Sequence, residues 1–276
     1  MSYFKIIGDE SELKWFFEYG VPPLKKNEIY FVSMSLRKKK LDSEERKILT
    51  HNEMFNKLQI RKDDWEYFLS HIKRLEQRID GYFPIESENF IHKAIVTYWN
   101  LSPINAYSAM KDQMAHLTEI MSELTDSALK SSAPALNNAY YKVRKSFDTT
   151  QSLFARNFGT KYWIDIDVDH NFTESEYDKV MQLLYNIVDS KNEPFFIPGD
   201  IMAVSTAGGI HFLLKRDKVK LNPTWICKEI ERILPKAKEV VRNSNEMIPL
   251  VGTTQYENHI VRVLNKEDFN ESHKIH

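Results

Sequence analysis

Three aspartates in alternation, Asp165, Asp167 and Asp169, are the residues of this chain best placed to do chemistry. They lie in Tyr162-Trp163-Ile164-Asp165-Ile166-Asp167-Val168-Asp169, where apolar and acidic residues alternate from Ile164 onward. A period of two is that of a β-strand, so the three carboxylates share one face at a spacing of roughly 7 Å. Such a row of anions repels itself unless something cationic sits against it. Divalent metal ions are the usual partners, and two of them about 4 Å apart form the arrangement for in-line phosphoryl displacement. The run therefore points to metal-dependent chemistry.

A second group follows in Ser205-Thr206-Ala207-Gly208-Gly209-Ile210-His211. Paired glycines in a hairpin can expose backbone N–H groups to a phosphate, and Ser205, Thr206 and His211 flank them as further donors. Alone, the segment reads as an ordinary β-turn beside a satisfied histidine. Beside a carboxylate strand it reads as a phosphate cradle facing bound metals, the layout of a nucleoside triphosphate site.

The elements that must position these groups fall into two halves. Residues 1–155 read as mostly helical, with helices over 10–19, 63–79, 88–99, 103–124 and 134–155. Ser102 serves as N-cap and Pro103 as first helical residue of the fourth. One strand, 28–36, empties into the basic run Arg37-Lys38-Lys39-Lys40, and residues 127–135 form a soft joint. In residues 156–276 a strand over 162–168 precedes the capping box Thr173-x-x-Glu176 and a helix to 189. Strands at 201–206 and 210–215, a helix from Asn222-Pro223 to 234, and a strand at 260–264 complete the pattern. The order β-α-β-β-α-β is the split βαβ or ferredoxin-like arrangement, whose first and third strands are central neighbours. The acidic strand should then lie beside the strand that begins near His211. The expected fold class is α/β (α+β), with a helix-rich lobe over 1–155 and a ferredoxin-like lobe over 156–276.

Composition narrows the function. With 276 residues, 42% hydrophobic, the chain can bury a sizeable core. Its 38 basic and 39 acidic residues give a formal charge of −1, so any nucleic-acid contact must use local patches. One such patch is Arg37 to Lys40, which would sit at a sheet end where it could neutralise phosphates, although four adjacent cations also suit a solvated loop. The single cysteine, Cys227, excludes an internal disulfide framework and a Cys-based zinc site, and fits a reducing, cytoplasmic compartment. No stretch has transmembrane length, and Met1 to Lys5 lacks a signal-peptide layout. No P-loop of the Gly-x-x-x-x-Gly-Lys-Ser/Thr kind occurs.

The chain resembles the archaeo-eukaryotic primase superfamily, the catalytic fold of primases and primase-polymerases. Asp165-x-Asp167 matches the family's first motif, and Ser205, Gly209 and His211 match its Ser-x-x-x-Gly-x-His-like second. Ile248-Pro249-Leu250-Val251-Gly252-Thr253 resembles the Pro-x-x-Gly-Thr segment of primase-polymerases from mobile elements. Met34 to Lys39 resembles the basic strand end of viral and phage members. The resemblance implies a DNA primase or primase-polymerase, a nucleotidyltransferase acting in DNA replication. Asp165 and Asp167 would hold Mg²⁺ or Mn²⁺, while Ser205, Gly208, Gly209, His211, Arg262, Arg37 and Lys39 would bind nucleotide. Implied partners are a single-stranded DNA template, nucleoside triphosphates and a separate helicase or other replication protein. The departure is the third acid. Where the family has a carboxylate before Pro-x-x-Gly-Thr, the sequence reads Val240-Val241-Arg242-Asn243-Ser244-Asn245-Glu246-Met247, leaving Glu246 or Asp169 to substitute.

Three other readings compete. Asp165, Asp167, Asp169 and Glu176 take positions 1, 3, 5 and 12 of an EF-hand loop, but His170 stands where that loop needs glycine. A two-metal nuclease would use the acids and leave the glycine turn without a task. A catalytically weak or inactive primase-like module would keep the fold with an incomplete triad.

Overall fold

The computed structural model describes residues 5–38, 41–49, 54–61, 64–76, 86, 90–128, 160–243, 247–256 and 258–269. It is a mixed α+β protein with six α-helices among the described residues and two main antiparallel sheets. Among those residues no helix is long and apolar enough to cross a membrane.

The first sheet is built on β1 (Glu28–Leu36), flanked by β2 (Met54–Ile60) and β3 (Ile95–Asn100), with the short β4 (Ile104–Asn105) also on β1. The helix expected over 88–99 is instead a single 3-10 turn, Ile91–Lys93, followed by β3. Ile95-Val96-Thr97-Tyr98-Trp99 is β-branched and aromatic, and two-sided pairing overrides any helical period. The helix expected from Pro103 begins at Ala106, because Ile104 and Asn105 first pair with Ile29 and Glu28. It runs to Ala128. The helix expected over 63–79 spans Trp65–Lys73, capped by the Asp64 carboxylate, and the one expected over 134–155 lies outside the described residues. The helix over Glu10–Tyr19 is as expected, its N-cap Asp9 accepting from Ser11 N and Glu12 N.

The second sheet holds the acidic strand. β5 (Trp163–Asp169) leads into the helix Glu174–Tyr185, then β6 (Ile201–Ser205), β7 (Ile210–Lys215), the helix Pro223–Ile233 and β8 (Glu239–Arg242). β7 lies between β5 and β6, so the acidic strand and the His211 strand are neighbours as the element order requires. The fourth strand of the split βαβ unit is β8 on the free edge of β5, not the expected 260–264. That segment contributes only β12 (Arg262–Val263), on the opposite edge beside β6. After β8 the chain crosses to the first sheet, where β9 (Met247–Pro249) pairs with β3. A small hairpin follows, β10 (Thr254–Gln255) with β11 (His259–Ile260).

Packing explains the two faces of β5. Ile164, Ile166 and Val168 join Phe212, Ile210 and Ala203 in a core closed by Val180, Leu184, Ile226 and Ile230 of the two helices. On the other face Trp163, Leu213, Met202 and Val204 join the core of the first half, with Leu13, Phe16 and Trp99. Trp163 Nε1 donates to Gly20 O at 3.0 Å, tying the start of β5 to the end of the first helix. The face that carries the aspartates is thus the one turned toward the rest of the molecule.

Candidate functional site

Antiparallel register sets His211 opposite Asp167 on β5 and opposite Val204 on β6. Directly paired residues share a face, so the imidazole meets the acid row. His211 Nδ1 lies 3.1 Å from Asp165 Oδ1 and 3.0 Å from Oδ2, and its Nε2 lies 3.6 Å from Asp167 Oδ1. One ring therefore bridges two carboxylates. Burial alone would lower the His211 pKa, but the charge and hydrogen bond of Asp165, joined by Asp167, push it up to about 9. At neutral pH the ring is an imidazolium supplying the cation this face needs.

The two aspartates differ in what surrounds them. Asp165 is only 2% exposed, and Asn243 Nδ2 donates to its Oδ2 at 2.8 Å. The same amide donates to Met247 O at 3.0 Å, while Asn243 N donates to Asp165 O at 3.0 Å. Asp167 keeps 41% of its side chain exposed. Partial burial raises its pKa, His211 opposes that rise, and Asp165, Asp169 and Glu239 add to it. Asp169 follows on the same face, paired with Glu239 of β8. Glu176 is committed to the capping box, accepting from Thr173 N and Oγ1, and Asp165 sits in a sheet, so no calcium loop forms.

The glycine turn is placed beside this row but is built differently from a phosphate cradle. Thr206 N donates to Gly209 O at 2.8 Å, Ala207 N to Gln255 Oε1 at 2.8 Å, and Gly208 N to Thr206 Oγ1 at 3.3 Å. The donors a phosphate would use are engaged within the protein. Gly209 is required by close approach: a Cβ there would lie 1.9 Å from Val168 O. Ser205 pairs with Ile210 and with Arg262, and so takes the side of the helix-packed core, away from His211. Arg262 reaches Asp9 Oδ2 at 3.8 Å instead of the acid row. Gly252 of the Pro-x-x-Gly-Thr segment has φ +81°, and its carbonyl accepts from Gly8 N and Asp9 N, a seam between the chain's ends.

Arg37 is where the basic strand end was expected, stacked over the Tyr98 ring at 5.1 Å and donating from Nε to Tyr98 Oη at 2.9 Å. Lys39 and Glu246 lie outside the described residues. Tyr256, in a left-handed conformation at φ 46°, stands near this pair. Burial, first, and Tyr98 push its phenol up to about 12 against the pull of Arg37, with Asp169 adding to the rise. The hairpin that carries it is tied to the glycine turn through Gln255. The site thus has an acidic wall on β5 and an aromatic, cationic one formed by Arg37, Tyr98 and Tyr256.

Asn243, Gln255, Tyr98 and Tyr256 were not foreseen. Only Asn243 had a usable signal: the β-branched pair Val240-Val241 reads as a strand, which would have placed Asn243 at its end. Among the described residues no three His, Cys, Asp or Glu side chains gather as a ready metal cage. Mg²⁺ commonly binds through one or two carboxylates, with waters and substrate phosphates completing its shell, and Asp167 with its neighbours offers hard oxygens of that kind. No family model, curated protein or solved structure matches the chain.

Proposed function

We propose that this chain is a primase-polymerase that transfers nucleotides to a 3′-hydroxyl on a single-stranded DNA template. The observation that carries the reading is the bridging of Asp165 and Asp167 by His211 from the adjacent strand, on the face turned toward Arg37, Tyr98 and Tyr256. Two carboxylates and a charged imidazole within one cleft suit a ligand that brings both cations and anions, as a metal-bound triphosphate does. Asp167 and its neighbours on the acid face are the groups suited to hold Mg²⁺ or Mn²⁺. When bound, the ion neutralises triphosphate charge and lowers the pKa of an attacking hydroxyl. His211 contributes a fixed positive charge beside the place where phosphate oxygens would lie. The cation at Arg37 suits the template or nucleotide backbone, and unwinding would fall to a separate helicase.

Primer extension on a defined template with Mn²⁺ tests the reading. Extension is expected for the wild type and a loss of at least about a hundredfold for Asp165→Ala with Asp167→Ala, the scale seen when key electrostatic groups are removed. Undiminished extension by the double variant would rule the reading out. One observation favours a second reading: the group reaching Asp165 from the segment before Pro249 is the amide of Asn243, not a carboxylate. A catalytically weak module that still binds nucleotide is the outcome if binding persists where extension fails.

A further inference from the structure

Resting on that nucleotide reading, we infer that the site takes one divalent cation, held from Asp167, and that Asp165 is a positioning residue and not a ligand. Asp165 has both oxygens committed. His211 Nδ1 reaches both of them, at 3.1 and 3.0 Å, and Asn243 Nδ2 reaches Oδ2 at 2.8 Å. The Asp165 side chain is wholly out of solvent. A cation there would have to displace N–H donors that point at the carboxylate.

Asn243 cannot turn its carbonyl oxygen toward such a cation without loss. Its Nδ2 also donates to Met247 O at 3.0 Å, which fixes the end of the amide that faces Asp165. Its backbone N–H is held by Asp165 O at 3.0 Å, so the residue is anchored at both ends. A two-ion site needs a carboxylate shared between the ions, and Asp165 is not free to be shared.

Asp167 lies two residues further along the same face. Its side chain is 41% exposed, and its one close cationic neighbour is His211 Nε2 at 3.6 Å. By holding Nδ1, Asp165 leaves Nε2 directed at Asp167 and the open end of the face. Asp165 therefore acts through the orientation of His211.

Mn²⁺ titrated alone into the full chain, with free ion followed by electron paramagnetic resonance, counts the sites. One Mn²⁺ per wild-type chain is expected, and the same count for Asp165→Asn. Asp167→Asn should bind at least about tenfold more weakly. Asn243→Asp, which puts a carboxylate where a donor stood, should gain a second ion. The His211 Nδ1–H proton resonance should be present in the wild type and lost in Asp165→Asn while the Mn²⁺ count holds, which a purely structural role would not produce. Two ions per wild-type chain, loss of an ion in Asp165→Asn, or no added ion in Asn243→Asp overturns the inference and leaves the nucleotide reading standing. No bound Mn²⁺ at all removes both. Should Asp165→Asn lack a cooperative thermal transition, the wild-type count and Asn243→Asp decide the matter.

Discussion

The two faces of β5 come from one alternating run, yet they are satisfied by different rules. Ile164, Ile166 and Val168 are sealed uniformly among alkyl and aromatic side chains of the two helices. The opposite face is graded: Trp163 and Asp165 are buried, while Asp167 and Asp169 are partly open. Apolar burial is non-directional and scales with area, so many side chains of similar volume would serve on the first face. Each buried polar atom on the second needs its own partner, and here His211 and Asn243 are those partners. Alternation tells which residues share a face but not which groups answer them.

The comparison can be broken most strongly at Asp165. Asp165→Ala leaves the imidazolium and the Asn243 amide buried without their acceptor, and should cost about 3–5 kcal/mol in urea unfolding. Asp167→Ala, with its side chain largely in water and among other acids, should change stability by less than about 1 kcal/mol. Equal costs for the two would mean that the gradient along this face has no energetic content. On the apolar face Phe212, fully buried against Phe172 and Tyr177, should lose about 3–5 kcal/mol on truncation to Ala. Unlike Asp165→Ala, it should leave the His211 ring environment unchanged by NMR.

Gly209→Ala sharpens the contrast at the edge between the faces. Its methyl would press on the backbone of Val168, and a loss of about 1–3 kcal/mol is expected in the same assay. Wild-type stability there would show that β5 can move away from the turn. The smallest effect belongs to Glu176, at the start of the helix that covers the apolar face. The backbone N–H of Thr173, then its hydroxyl, hold the Glu176 pKa down to about 2. A depressed carboxylate pKa gives stability that is present above the ordinary value near 4.5 and lost as pH falls toward 2. Melting of Glu176→Gln should therefore converge with that of the wild type on acidification; a gap that widens at low pH would reverse the assigned sign.

Much of this architecture was legible in residue order. The acidic strand, its helix with the Thr173 and Glu176 cap, and the β6–β7 hairpin all have strong local signals, and their order alone placed β5 beside β7. What escaped was set by long-range pairing. β3 looked helical because its strand identity comes from β1 and β9 on either side. Val240 and Val241 were passed over as a strand because the run is short and its partner, β5, lies far back in the chain. Within the site, Asp165, Asp167 and His211 were found and are together, while Ser205 and Arg262 fall on the other side of the sheet through a register that spacing alone does not reveal. Asn243 and Tyr256 reach the site only because the chain crosses between sheets after β8.

Calorimetric titration of a nucleoside triphosphate into the protein, with and without Mn²⁺, meets the central claim most directly. One triphosphate per chain should bind in the presence of Mn²⁺, and binding should largely vanish without the ion or in Asp167→Ala. Equal affinity with and without the ion, or affinity untouched by Asp167→Ala, would contradict the assignment of this acidic face to a metal-bound nucleotide.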